Sequence, residues 1–371
     1  MKKITRKNKF NKRRIRTKRK NIKRKYKKNF QNNLKNNSIR FFRYFILLIK
    51  FLFLIIILYI IYYKIIPFYK QNKFCIDCSN NLDNINKKCW ECSVDILFKG
   101  LYIVSRENTL KEIIKHKKSI SRFSDGEYYL IHGYSINLQQ SNKNLSRRLL
   151  EIIYNKHDNK NLLVGIFVPY RERDFDSLQN MTVKYWKNFY LYYKLKLLKI
   201  INKRKKYYSS AITRFFTDFK DRSVIPDHIK AFKKIWNNRD IIIVEGEKSR
   251  VGFGNNLFNN TKSIKRILCP AKQAFNVYDK ILQSVLKISK DKLILISLGP
   301  TATVLAYDLS QLGYQAVDIG HTDIQYELYL RNATYMIKIP YKFNNEFDAG
   351  RYVDELKDLN YEAQIIDKIL H

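Results

Sequence analysis

Three almost continuous apolar runs limit this chain more than any other feature: Leu162–Val168 (LLVGIFV), Ile241–Val244 (IIIV) and Leu293–Leu298 (LILISL). Successive side chains of a strand point to opposite faces, so a half-exposed strand alternates apolar and polar residues. A run without that alternation is buried on both faces, as strands are in a parallel sheet covered by helices. Ile264–Leu268, Gln315–Asp318 and a run through Ile120 and Phe123 fit the same role. Helical stretches separate them: Leu110–Lys117 behind a Thr109/Glu112 capping box, Asn144–Tyr154, residues 178–205, Asp227–Trp236, Phe275–Ile288 and Thr301–Leu312. Strands alternating with helices predict an α/β fold with a mostly parallel sheet, over residues 105–371. Ligands of such sheets bind beyond the carboxyl ends of the strands.

The chain has 371 residues, enough for one large or two ordinary domains, and its net charge of +40 is unevenly spread. Residues 1–76 hold 24 Lys/Arg and no carboxylate, which leaves +16 for the other 295. The basic excess therefore belongs first to the N-terminal tail, and no specific nucleic-acid partner is expected of the folded part. Residues 1–43, with 20 Lys/Arg and few apolar residues, self-repel and predict a disordered tail. Tyr44–Tyr63 (YFILLIKFLFLIIILYIIYY) follows. Twenty residues at the helical rise span about 30 Å, one bilayer core. Lys50 sits near the basic end, the tyrosines gather at the other, and Pro67 ends the stretch. Residues 44–66 thus predict a transmembrane signal-anchor, single-pass, with the N-terminus cytoplasmic. A cleaved signal peptide fits less well, because the apolar run is too long and no small-residue cleavage site follows.

Residues 67–100 hold Cys75, Cys78, Cys89 and Cys92 as two C-x-x-C pairs. Such knuckles wrap a structural Zn²⁺, and equally they form two disulfides on the oxidising side of a membrane. Either way the segment reads as a small stalk module. Cys269, alone in an apolar run, reads as core.

Four stretches at strand ends carry unusual chemistry. In RFSDGE (122–127), Asp125 and Glu127 flank Gly126. In an extended turn residues i and i+2 point the same way, so both carboxylates would face one hard divalent cation, with Arg122 reaching the phosphates of a ligand. A second D-x-D, Asp174 and Asp176, reads as a solvated loop. VEGEKSRVGFGNNLF (244–258) places Lys248, Ser249 and Arg250 among glycines and asparagines, including Asn255, directly after a strand. Those donors suit a diphosphate. In LGPTAT (298–303) a strand ends at Gly299 and Pro300 opens a helix, whose free N–H groups and Thr301 suit an anion. In DIGHTDIQYEL (318–328), Asp318, His321, Asp323 and Glu327 crowd together. Asp323 reads as a helix N-cap, His321 as a metal or orienting ligand, and Glu327 as a proton acceptor for a hydroxyl.

Taken together these stretches resemble the GT-D-fold glycosyltransferases, a family once filed as a domain of unknown function. Its segments run approximately RFGDGE, VEGEKSRxGxGNDLF, LGPTATVLAxDL and DIGHxDxEYEW, and the likeness spans roughly Ser105 to Leu330. The resemblance implies a Rossmann-like GT-D fold and a hexosyltransferase. It implies a nucleotide-sugar donor such as UDP-glucose, a glycan or glycoprotein acceptor, and Mn²⁺ or Mg²⁺. It also implies that Asp125 and Glu127 form the metal and diphosphate site, that His321 supports the metal, and that Glu327 acts as the base. Ser124, Asn256, Gln325 and Leu328 depart from the family pattern. A rival reading, from the cysteine pairs and the tail, is a non-enzymatic membrane-anchored protein that binds nucleic acid or anionic lipid.

Overall fold

Each long apolar run becomes an inner strand, and the helix-length stretch after it returns the chain to the same end, so all strands run parallel. The computed structural model describes residues 44–59, 97–154 and 159–370. Residues 44–59 form a helix with every side chain exposed. Among the described residues no helix is long and apolar enough to cross a membrane. Residues 60–66 of the expected anchor, the basic tail 1–43 and the four stalk cysteines (Cys75, Cys78, Cys89, Cys92) lie outside the described residues.

The folded unit opens with β1 (Tyr102–Ile103), α1 (Arg106–His116), β2 (Ser119–Phe123), α2 (Asp125–Ile131), α3 (Lys143–Tyr154) and β3 (Leu162–Ile166). It continues through α4 (Glu172–Asp176), α5 (Asn180–Ile200), β4 (Lys206–Ser209), α6 (Ile225–Lys233), β5 (Asp240–Gly246) and β6 (Ser263–Cys269). Then follow α7 (Tyr278–Leu286), β7 (Leu293–Ser297), α8 (Pro300–Gln311), β8 (Gln315–Asp318), α9 (Thr322–Leu330), α10 (Leu359–Glu362) and β9 (Ile365–Lys368). The sheet has nine strands in the order β1-β4-β3-β2-β8-β7-β5-β6-β9. The chain builds outward from β2 to β3 and β4, crosses to β5, and closes back to β8 beside β2. The β2/β8 boundary is therefore the topological switch point, where an α/β sheet leaves a crevice for ligand.

Both faces of the sheet are covered. Ile242, Val244, Ile294 and Ile296 pack on one side with α3, α5, α7 and α8. Ile241, Ile243, Leu293 and Leu295 pack on the other with α1, α6 and α9. Helix α8 lies across both β2 and β8 and roofs the switch point.

Several local expectations change. Helix α1 starts at Arg106, capped by the Ser105 hydroxyl, which accepts from the Asn108 N–H at 3.2 Å. Thr109 is buried instead; its hydroxyl donates to the Ser105 carbonyl at 2.8 Å and accepts from the Ser209 N–H at 3.1 Å, tying α1 to β4. The expected helix 178–205 stops at Ile200, and the residues just beyond it form β4. Strands β1, β4 and β9 are short or alternate in burial, so no apolar run marked them. The fold also begins before residue 105: Phe98 is fully buried against Tyr170 and Tyr190. Asp174 does not float in a solvated loop; it accepts from the Tyr170 and Arg171 backbone N–H groups and pairs with the Arg171 guanidinium.

The C-terminal segment is fastened by a buried ion pair. Arg266 on β6 and Glu245 on β5 are 2% and 0% exposed. Arg266 donates to Glu245, to the Val251 carbonyl at 2.9 Å and to Gln364 at 2.7 Å, and lies over the Tyr361 ring. Breaking a buried pair from one side strands the other charge, at a cost of about 3–5 kcal/mol. Arg266→Ala should therefore lose stability on that scale in chemical denaturation. Replacing both Arg266 and Glu245 by leucine should lose clearly less.

Candidate active site

At the β2/β8 boundary the backbone ladder is thin, with Ile120 opposite Val317 as the paired register point. The Arg122 side chain spans it. Its Nε donates to the Asp318 carbonyl at 2.8 Å and its Nη2 to Asp318 Oδ1 at 2.8 Å. Its Nη1 donates to Thr213 Oγ1 at 2.6 Å and to the Ser210 carbonyl at 3.4 Å. The guanidinium lies against Gly320, whose φ is +41°, and a Cβ built there would stand 1.9 Å from Nη2. Arg122 is thus fully engaged within the protein rather than extended toward a ligand.

Beyond β2 the Asp125-Gly-Glu127 triplet is helical, not extended. Glu127 turns back to accept the Ser124 N–H at 2.8 Å, and this arm of a capping box starts α2. Residues two apart diverge around a helix, so the two carboxylates do not aim at one point. Asp125 instead accepts from Ser124 Oγ at 2.9 Å and from the Tyr185 hydroxyl on α5. Burial pushes the Glu127 carboxyl up to about 8; the Ser124 N–H opposes this, and the charges of Asp318 and Asp125 add to it. Burial also raises Asp318, against the pull of Arg122. Glu127 therefore feels two other carboxylates at this end of the sheet.

His321 caps α9 beside them. Its Nε2 is 3.6 Å from Glu346, and Glu346 is also paired with Arg214, which chelates Asp218 at 2.8 and 3.1 Å. Burial lowers the His321 imidazole, with Glu346 pulling the other way. Burial alone would raise Glu346, but Arg214 and then His321 hold it down to about 2.

A second charged cluster is buried deeper along α9. Asp323 is not the N-cap; it lies in the first turn, accepts from Asn255 at 2.8 Å and pairs with Lys342, which is 2% exposed. Glu327 Oε1 accepts from Asn255 at 2.7 Å and lies 3.2 Å from Lys342, while Oε2 is paired with Arg331. Gln325 accepts from the backbone N–H groups of Phe216 and Thr217 at 3.0 and 2.9 Å. Arg250, with φ +47°, donates to the Tyr341 and Asp354 carbonyls at 3.0 and 2.8 Å and so fastens the C-terminal segment. Lys248 is exposed, Ser249 half-buried beside Gly246, and Thr301 buried in the first turn of α8.

The structure therefore gathers Arg122, Asp125, Glu127, Asp318 and His321 around the switch point, and gathers Asn255, Asp323 and Glu327 in a neighbouring cluster. Arg250 belongs to neither. Tyr185, Thr213, Arg214, Lys342 and Glu346 join these groups without any local motif; each reaches the site from a distant stretch. Among the described residues no three His, Cys, Asp or Glu side chains already converge on one metal position.

A family model described as glycosyltransferase GT-D fold matches residues 120–347, which takes in both clusters. This chain belongs to the GT-D family. A solved structure of domain of unknown function 1792, described as having a distinct glycosyltransferase fold, is 35% identical with a TM-score of 0.70; the match covers 75% of this chain and 99% of that one. Another, a glycosyltransferase from Streptococcus sanguinis, is 33% identical with a TM-score of 0.69, over 72% of this chain and 99% of that one. Glycosyltransferase GlyD of Streptococcus pneumoniae is 34% identical over 288 residues, covering 77% of this chain and 34% of that protein. The chain thus spans about a third of the length of that curated relative. The all-parallel sheet of this GT-D chain matches the expected architecture.

Two outcomes follow from the GT-D site. Gly320→Ala should displace the Arg122 guanidinium, since neither the positive φ nor the space admits a side chain; a fall in the thermal midpoint with loss of any donor binding is expected. Glu127 has a folded-state value (about 8) above its ordinary 4.5. Its contribution to stability is complete below pH 4.5 and is lost as the pH rises through about 8. In chelator, the thermal midpoint of the parent should decline more steeply across that window than that of Glu127→Gln.

Proposed function

We propose that this chain transfers a hexose from a nucleoside-diphosphate sugar, of the UDP-glucose type, to a hydroxyl of a glycan or protein-linked glycan. The observation that carries this reading is the gathering of Arg122, Asp125, Glu127, Asp318 and His321 at the switch point of a GT-D sheet.

The residues fit a hard cation in chemistry. Asp125 and Glu127 offer carboxylate oxygens, and Glu127 is a carboxyl whose charged form is opposed by burial and by two neighbouring carboxylates, a cost that a divalent ion relieves. In this reading Asp125 and Glu127, which diverge in the first turn of α2, would hold Mn²⁺ or Mg²⁺ on the donor diphosphate only once one carboxylate swings toward the other, with His321 in support. Such an ion, when bound, stabilises the departing diphosphate.

The chain's own groups do the rest. Tyr185 fixes the Asp125 carboxylate. Arg122 holds Asp318 and the Gly320 turn in place rather than touching phosphate. The exposed Lys248 ammonium, with Ser249 and the α8 N-terminus at Thr301, supplies positive potential toward phosphate oxygens. Arg250 and Asn255 shape that loop from behind. Glu327 takes the acceptor proton. Arg331, the more exposed of its two cationic partners, is the one whose departure frees Oε2. In the same reading the apolar stretch 44–66 anchors the chain in a membrane with its basic tail cytoplasmic, and the residues from 67 up to the folded unit, which takes in Phe98, form a stalk held by Zn²⁺ or by disulfides.

The test is an Asp125→Asn/Glu127→Gln double variant assayed for manganese-dependent hydrolysis of a panel of nucleotide sugars. Activity should fall on the order of a hundredfold or more, with the fold retained by circular dichroism. Undiminished turnover would refute the site.

A further inference from the structure

Helix α5 presents two unlike surfaces. Inward, Trp186, Phe189, Tyr190, Leu197 and Ile200 pack into the core. Outward, Met181, Lys184, Tyr185, Asn188, Tyr192, Leu195 and Lys199 follow the helical period and share one face, with Asn188 the one uncharged polar residue among them. Met181 and Tyr192 are 86% and 76% exposed. Scattered apolar side chains on a surface are ordinary, but an ordered row of them between lysines is not. Along the chain that carries this row the charge has one sign, while Asp125 reaches its Tyr185 end from α2. Between Asn180 and Lys206 the chain has nine Lys/Arg and no carboxylate. Next to it, Tyr134 is also exposed and Lys196 lies over its ring and that of Tyr193.

We propose that this face of α5 rests on an anionic lipid surface. A helix with apolar and aromatic side chains in a row and lysines beside them is built for the plane of a membrane interface. Tyrosine rings settle at headgroup depth, and the lysines are drawn to anionic headgroups. The lack of any carboxylate along 27 residues favours such a surface over a mixed-charge protein partner. The lipid contact stands on α5 alone. Its consequence rests on the function proposed above: the Tyr185 hydroxyl donates to Asp125, so the lipid-facing row runs up to the candidate active site. An acceptor carried at the lipid surface would then meet the site without leaving the interface.

The experiment uses the full chain in nanodiscs with brominated acyl chains, made of phosphatidylglycerol or of phosphatidylcholine. Tyr192→Trp adds a reporter, read as the difference from the parent, whose own tryptophans are common to both. In phosphatidylglycerol discs the added emission should shift to the blue and be quenched, and raised salt should reverse this. In phosphatidylcholine discs neither should occur. A Lys184→Glu/Lys199→Glu pair in the same background should abolish the quenching. Equal emission in both lipids overturns the proposal, as does quenching of equal depth in both. The same blue shift with soluble polyphosphate and no lipid also overturns it. Nucleotide-sugar hydrolysis measured on the same discs separates the two readings. Quenching without hydrolysis leaves this inference standing and removes the enzymatic one.

Discussion

The contact on which the rest depends is the guanidinium of Arg122 laid across the seam between β2 and β8. Strands elsewhere in the sheet share long ladders: β5 and β6 pair over seven residues. At the seam the ladder is short, and side chains complete it. Ser119 Oγ donates to the Tyr314 carbonyl at 3.2 Å and accepts the Ala316 N–H at 2.9 Å. Ser121 Oγ donates to the Thr303 carbonyl at 2.7 Å, and Thr303 Oγ1 donates to the Arg122 carbonyl at 2.9 Å. Arg122 closes the row at the carboxyl end. A switch point needs a gap between strand ends to admit a ligand, and side chains hold that gap where backbone bonding would shut it.

Charge inside this protein is sorted by what surrounds it. Arg250 looks like a phosphate ligand when read along the chain, and Glu245, Arg266 and Lys342 are further charges that meet in the same part of the fold. In three dimensions each is buried and bonded, and together they fasten the residues after α9 to the sheet and to the 246–258 loop. Buried ions persist only where partners satisfy them, so these positions serve architecture. At the carboxyl ends of β2 and β8 desolvation shifts Glu127, Asp318 and His321, with Arg122 and Glu346 pulling the last two back toward their charged forms.

The departures from the family motifs read differently once placed. Gln325 keeps two acceptor positions for backbone N–H groups, which an amide oxygen fills as well as a carboxylate would. Leu328 is fully buried in the core beneath α9, where an apolar side chain suffices. Ser124 caps the turn into α2 and donates to Asp125. None of these positions stands free at the site.

The six inner strands and their parallel direction were legible in the sequence, because burial on both faces writes itself as apolar runs such as IIIV and LILISL. The same rule fails at β1, β4 and β9, whose burial is partial and whose composition blends into their surroundings. The motif residues were legible as a set, but not their duties. Whether Asp125 and Glu127 diverge or converge depends on a helix starting at Ser124. Whether Arg122 meets a ligand or a neighbour depends on Asp318, nearly two hundred residues away. A charge gains its role from the distance and burial of its partners, and those distances exist only after the chain has closed β8 against β2.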